Sequence, residues 1–354
     1  MSEENNNQEL CEEKEELYEH FRFDVDKGTD LLRIDKYLLN LIPNTSRNKI
    51  QQASKAGCVL VNGKATKQNY RVKPCDTISI LLPNPVREVE IVAEDIPLDV
   101  AYEDSDLLII NKNPGLVVHP AYGNYTGTLV NALMWRFQEQ KDASGEPLKP
   151  FLVHRIDKNT SGIMMVAKSE LAQMNLGKDF FNHTIDRKYW ALVWGDFKED
   201  EGTITGNIGR NPKDRLTMTV FPDGENGKHA VTHYKVIERF GYVTLIECQL
   251  ETGRTHQIRV HLKYIDHPLF NDVTYGGNII LKGTTFSKYK QFIQNCFTLM
   301  PRQALHAKSL GFKHPITGQY MLFDSELPED MKSVIEKWRH YVKHKTTFEE
   351  ESEE

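Results

Sequence analysis

The chain has 354 residues, 39% hydrophobic and 27% charged, enough for a full-sized core and a second, smaller domain. Its five cysteines are scattered and never form a C-x-x-C pair, which excludes a disulfide framework or a zinc knuckle and points to a reducing compartment. No apolar run reaches the length of a membrane span, and the N-terminus MSEENNNQEL is acidic where a signal peptide is basic then apolar, so a cytoplasmic protein without a membrane partner is expected. Without a secretory route the N-x-[ST] sequons at Asn44, Asn124, Asn159 and Asn182 carry no meaning for glycosylation.

The net charge of -6 hides a segregated pattern. Residues 1–30 carry three basic and eleven acidic side chains, and residues 31–75 carry nine basic ones (Arg33, Lys36, Arg47, Lys49, Lys55, Lys64, Lys67, Arg71, Lys73) against one acid, Asp35. Such an island is the electrostatic footprint of a phosphate-backbone contact surface. The acidic ends, a leader over 1–30 and a tail over 344–354, read as solvated and disordered.

After the acidic start of the chain, HFRFDVD alternates Phe21, Phe23 and Val25 with polar residues, the period of a short half-buried strand. LLRIDKYLLNLI then places Leu31, Ile34, Leu38 and Leu41 on one helical face and leaves Arg33 and Lys36 toward solvent. A second helix is predicted over SRNKIQQASKAG, with Ser46 as N-cap and Gly57 just past its end. CVLVNGKA carries the Asn62-Gly63 hairpin signal, and DTISILLP closes the unit. Two helices feeding a small hairpin with basic exposed positions resembles the αL RNA-binding module first known from small-subunit ribosomal protein S-four. The resemblance covers residues 31–82 and implies that Arg33, Lys36, Arg47, Lys49 and Lys64 contact RNA. It departs at Cys75, where that family has glycine.

Prolines at 83, 85 and 97 mark a linker, set at 83–94. Beyond it, DLLIINKNPG reads as a strand running into a turn, TGTLVNALMWRFQ as an amphipathic helix, and RKYWALVWG, HAVTHYKVIERF and YVTLIECQLE as strands. With no long α/β repeat, the expected fold is α+β: a predominantly antiparallel mixed-sheet domain over 95–343, preceded by the small α/β module. Neither G-x-G-x-x-G nor a P-loop is present, so no nucleotide cofactor is expected.

Three segments carry side chains suited to chemistry: His154-Arg155-Ile156-Asp157 with Thr160-Ser161-Gly162, Lys188-Tyr189, and TGRTHQIRVHL from Thr252. In the last, Thr255 is a candidate helix cap, and Ile258, Leu262 and Ile265 form an apolar helix face that holds Arg259 near the N-terminal end. His256 and His261, five residues apart, lie about 140° apart around a helix and do not share a face, which argues against a metal. No G-x-S-x-G elbow supports a serine nucleophile, and a glycosidase requires a second working carboxylate beside Asp157.

The nonapeptide HRIDKNTSG resembles the HR-L-D-x-x-T-S-G signature of the RluA-type pseudouridine synthases. NKNPGLVVHP, GTLVNAL, RKYWALVWG, GRTHQIRVHL, HPLFND, RQALHA and HPITG resemble further segments of that family, over nearly the whole chain. With the αL module, the combination is similar to the large-subunit ribosomal RNA branch. The resemblance implies isomerisation of uridine in RNA without metal, cofactor or water. Asp157 would act as nucleophile or as base toward the ribose, Tyr189 would stack on the uracil, and Arg259 would pair with Asp157. A carboxylate shielded from water needs such a cation, and a guanidinium stays charged and pairs in a fork. The target base must be flipped out of folded RNA. Arg155 would fill its place, Leu305 is read either as a group that presses on the base or as a plain core leucine, and His154 is read as structural. Ribosomal RNA or a pre-ribosomal particle is the expected partner and a monomer the expected state. The competing readings are a non-catalytic RNA-binding or ribosome-assembly factor that keeps the fold, and a nucleoside hydrolase.

Overall fold

The structure is a computed structural model and describes residues 18–28, 31–42, 45–82, 91–120, 123–141, 145, 147–214 and 216–350. Residues 1–17 and 29–30 of the predicted leader, 83–90 of the predicted linker and 351–354 of the predicted tail lie outside the described residues. The chain divides into two compact units, 1–90 and 91–354.

The first unit contains β1 (Tyr18–Asp24), α1 (Ile34–Leu41), α2 (Arg47–Lys55), β2 (Val59–Val61), β3 (Lys64–Ala65) and β4 (Thr77–Leu82). Its sheet runs β1-β4-β2-β3, antiparallel throughout. Ile34, Leu38, Ile50, Val59 and Ile78 fill the core between the helices and this sheet. The Ser46 hydroxyl accepts from Lys49 N at 3.4 Å and caps α2. Asn62 and Gly63 have φ of 51° and 78°, the pair of positive values that a two-residue hairpin turn demands.

Two expectations shift here. Residues 18–24 are a strand of the small sheet rather than part of a solvated leader, because β1 pairs with β4 along its full length. The alternation was visible in the sequence, but its partner strand lies more than fifty residues on, as in the Thr77 to Asp24 side-chain bond of 2.8 Å. Arg33 does not simply face solvent: Nε and Nη2 grip Asp35 at 3.1 and 3.0 Å. Arg47 and Gln51 add bonds of 2.9 and 2.8 Å to the same fully buried carboxylate. Burial works against the Asp35 charge, yet the bonds from Gln51, Arg47 and Arg33 outweigh it and hold its pKa below the usual carboxylate range. Lys36, Arg47, Lys49 and Lys64 are exposed.

The second unit starts with β5 (Asp99–Glu103), β6 (Leu107–Lys112), α3 (Leu129–Phe137), β7 (Phe151–Leu152), β8 (Ser161–Ala167), α4 (Glu170–Phe181) and β9 (Asp186–Trp194). It continues with β10 (Glu201–Arg210), β11 (Met218–Phe221), β12 (Lys228–Arg239), β13 (Val243–Leu250), α5 (Gln257–Tyr264), α6 (Ser287–Leu299), β14 (Leu305–Lys313), β15 (Tyr320–Asp324) and α7 (Glu329–Glu350). The sheet order is β11-β10-β12-β13-β9-β14-β8-β6-β5, with β15 added to β14 and β7 to β8. Between the named strands of this sheet, the pairing of β14 with β8 is the parallel one, at His306–Ser161 and Ala307–Gly162. The fold is α+β with a mainly antiparallel mixed sheet.

Ile246 and Cys248 of β13 are buried, while Glu247 and Gln249 between and after them are half-buried and exposed. The backbone of α7 continues to Glu350, across the boundary drawn at 343. Its Met331, Val334, Ile335 and Trp338 pack on Trp194 and Phe270. No described helix is long and apolar enough to cross a membrane.

Candidate active site

Asp157 sits in the loop between β7 and β8, and the backbone after it is held point by point. Its own carbonyl accepts from Thr160 N at 3.1 Å. The next carbonyl, of Lys158, accepts from Gly115 N and from the Lys112 ammonium, both at 2.9 Å. The carbonyl of Asn159 accepts from Arg302 Nη1 at 3.1 Å, while the other face of that guanidinium forks onto Asp330 of α7 at 2.6 and 2.8 Å. Lys112 is 2% exposed, and its three N–H groups end on the carbonyls of Asn113, Leu116 and Lys158. Burial, then the charge of Arg302, push its pKa down to about 7, while Asp157 pulls the other way.

The residues after Asp157 are read by the RQALHA segment. Gln303 donates to the Thr160 hydroxyl at 3.5 Å, and Ser161 Oγ meets His306 Nδ1 at 3.0 Å. Gly162 has φ of 112°, and a Cβ there would collide with the Ala307 carbonyl. Only glycine lets the parallel strands approach this closely. Two motifs 140 residues apart are thus halves of one joint.

Asp157 lines a cleft of about 510 Å³ with Arg155, Tyr189, Arg259 and Leu305. Its side chain is 21% exposed, and Oδ2 accepts from Arg259 Nη1 at 3.0 Å. Arg259 stands on the first turn of α5, and its Nε and Nη2 fork onto Asp272 at 2.7 and 2.9 Å. Asp272 Oδ1 also accepts from Thr274 N and Tyr275 N, so the far carboxylate is locked by backbone. The Tyr275 ring lies 4.9 Å from the guanidinium carbon. Burial opposes the Arg259 charge, but the bonds and charge of Asp272 and then Asp157 outweigh it and raise its pKa. One guanidinium therefore serves two carboxylates.

The helix cap differs from the one expected. His256, not Thr255, precedes α5, at a left-handed φ of 56° and without a side-chain capping bond. Such a conformation costs a non-glycine residue on the order of 1 kcal/mol, and its result is to turn the imidazole toward the cleft. Nδ1 meets the Tyr275 hydroxyl at 2.8 Å and Nε2 lies 4.0 Å from Asp157 Oδ1. Burial lowers its pKa, against the pull of Asp157. His261 is in other surroundings, buried with Nδ1 on the Thr232 hydroxyl at 3.0 Å.

Tyr189 sits on β9 between Cys248 and Ala307, nearly buried, and burial raises the pKa of its phenol. His154 Nε2 accepts from Met165 N at 3.0 Å and its ring stacks on Phe180. Burial, then Arg187, push its pKa down to about 3, so it is a neutral structural histidine. Arg155 is exposed at the cleft. Arg33, Lys36, Arg47, Lys49 and Lys64 belong to the first unit.

Sequence reasoning gave no role to Asp272, Tyr275, Lys112 or Arg302. Asp272 closes HPLFND and Lys112 opens KNPG, segments matched to the family as blocks, and no periodicity tells which of their side chains turns inward.

A family profile described as RNA pseudouridylate synthase matches residues 106–264, and one described as S4 domain matches residues 32–78. The chain is 47% identical over 318 residues to an uncharacterized RNA pseudouridine synthase of Chlorobaculum parvum, covering 89% of this chain and 97% of that one. It is 40% identical over 304 residues to the ribosomal large subunit pseudouridine synthase D of Zymomonas mobilis, covering 85% and 92%. Among solved structures, human RNA pseudouridylate synthase domain containing 1 is 25% identical with a TM-score of 0.51, covering 68% of this chain and 89% of that one. Identity of 40 to 47% across most of both chains, on a fold that carries the Asp157 cleft, means that the chain belongs to the RNA pseudouridylate synthase family, isomerases that convert uridine to pseudouridine in RNA.

Proposed function

We propose that the chain isomerises uridines of large-subunit ribosomal RNA, free or in pre-ribosomal particles, as a cytoplasmic monomer. Relatives named for the large ribosomal subunit and the S4 domain support that choice of RNA. The basic unit over 31–82 holds RNA through Arg33, Lys36, Arg47, Lys49 and Lys64, and the unit over 95–343 does the chemistry.

One observation carries the assignment of roles: Asp157, bonded to Arg259 at 3.0 Å, shares a cleft with the Tyr189 ring. Arg259 occupies Oδ2, which leaves Oδ1 for the ribose. The N1–C1' bond of the flipped uridine breaks, the uracil turns against Tyr189, and C5 bonds to C1'. The proton displaced from C5 is balanced by one gained at N1, so nothing is consumed. Arg155 fills the space the base leaves in the RNA.

The test is tritium release from RNA labelled at uridine C5. Asp157→Asn should abolish release while binding RNA as before, and wild-type turnover in that variant would overturn the assignment. Free uracil in place of pseudouridine would indicate a hydrolase, and absence of release by the intact protein a binding factor. Mapping carbodiimide-reactive pseudouridines in ribosomal RNA, with and without the gene, tests the substrate.

A further inference from the structure

Arg187 lies on β9, two residues before Tyr189, and lines the same cleft. It is 7% exposed. The other deep cations of this unit are matched: Arg259 by two carboxylates, Arg302 by Asp330, Lys168 by Glu103, Lys112 by three carbonyls. Among the described residues no carboxylate pairs with Arg187. Its Nη2 donates to the Glu251 carbonyl at a long 3.3 Å, its guanidinium carbon lies 5.4 Å from the Phe180 ring centre, and its buried Nε has no hydrogen-bond partner. Burial pulls its pKa down.

A buried charge with an unused donor is unfavourable unless a counter-ion arrives. The planar fork of a guanidinium matches a phosphate in geometry and charge. A uridine within an RNA strand carries a phosphodiester on each side, and flipping its base swings the sugar and backbone toward the cleft. Gly253 lines the same wall, and a Cβ there would fall 2.8 Å from Arg187 Nη1, so the bare backbone keeps that nitrogen approachable. We propose that Arg187 binds a phosphodiester of the RNA strand next to the target uridine, an anion that the fold leaves for the substrate to supply. This rests on the reading that the flipped uridine enters the Asp157 cleft.

The experiment uses the full chain and a stem-loop RNA. Arg187→Gln should bind roughly tenfold more weakly, and its plot of log Kd against log salt should be flatter by about 0.7 to 0.9, the contribution of one phosphate contact. Its single-turnover rate at saturating RNA should change much less. Stem-loops with one uncharged methylphosphonate, placed 5' or 3' to the target uridine, should at one of these positions weaken the intact protein and leave Arg187→Gln unaffected. An unchanged salt slope, or a methylphosphonate penalty equal in both proteins, overturns the proposal. If Arg187→Gln does not fold, Gly253→Ala, which sets a methyl against Nη1 and keeps the charge, should show the same selective loss, and wild-type behaviour would overturn the proposal equally. Asp157→Asn has the opposite signature, turnover lost with binding intact, so failure of the reading of the cleft registers there and not in these binding measurements.

Discussion

Each unit builds an ionic triad around one buried ion, and the two are built in opposite senses. In the first, the carboxylate of Asp35 is at the centre and the guanidiniums of Arg33 and Arg47, 41% and 44% exposed, close over it. In the second, Arg259 is at the centre between Asp272, 1% exposed, and Asp157, 21% exposed. The outer groups carry one unit of charge more than the centre, so the first triad turns a surplus cation to solvent and the second a surplus anion into a cleft. Cations at a surface suit an RNA backbone, and a carboxylate in a cleft suits chemistry on a ribose. The two triads therefore differ in sense, one cationic at a surface and one anionic in a cleft.

Removing a centre should break the comparison unequally. Arg259→Ala strands two carboxylates in one niche and should cost about 3 to 5 kcal/mol, together with activity. Denaturant unfolding, with the exposed Arg339→Ala as reference, measures it; equal losses in the two variants would deny the triad its central ion.

Lys112 sharpens the contrast, as a buried cation held by carbonyls alone. Its folded-state pKa of about 7 lies well below that of an unfolded lysine, roughly 10.4. Between those values the unfolded chain binds more protons, so this group makes stability rise with pH, by up to about 1.4 kcal/mol per pH unit. Lys112→Met should lose that rise. Parallel melting profiles for the two proteins across this window would show that the ammonium stays charged on its three carbonyls.

Asp35→Asn should cost less, about 1 to 2 kcal/mol, because Arg33 and Arg47 can turn to water once their partner is gone. Hydrogen exchange in β4 reports on this unit, and a loss as large as that of Arg259→Ala would erase the difference between the two centres. The smallest effect concerns backbone. Cys75 (φ 67°) and His256 (φ 56°) both hold a left-handed conformation, one in each unit. Cys75→Gly should stabilise by about 1 kcal/mol, since glycine adopts that φ without strain. A lower melting temperature would mean that the Cys75 side chain has a packing role.

Much of this was legible in the sequence. Ser46, Asn62-Gly63 and the alternation in β13 act within a few residues, and local chemistry decides them. The resemblance carried by HRIDKNTSG and GRTHQIRVHL singles out Asp157 and Arg259. At the cap of α5, Thr255 has the better intrinsic propensity, but His256 takes the position and contacts Tyr275, nineteen residues on.

Composition and pattern by themselves determined the basic island and the α+β class, since these depend on charge count and period, and the resemblance of short motifs supplied the residues of the site. Only the tertiary structure decided that Arg33 and Arg47 share Asp35, that Asp272 sits behind Arg259, that Lys112 and Arg302 hold successive carbonyls after Asp157, and that the buried Nε of Arg187 has no hydrogen-bond partner among the described residues. Each of these pairings, apart from the neighbours Arg33 and Asp35, joins residues a dozen or more positions apart. Which buried ion meets which partner is set by sheet order and strand register, and neither is encoded in any single segment.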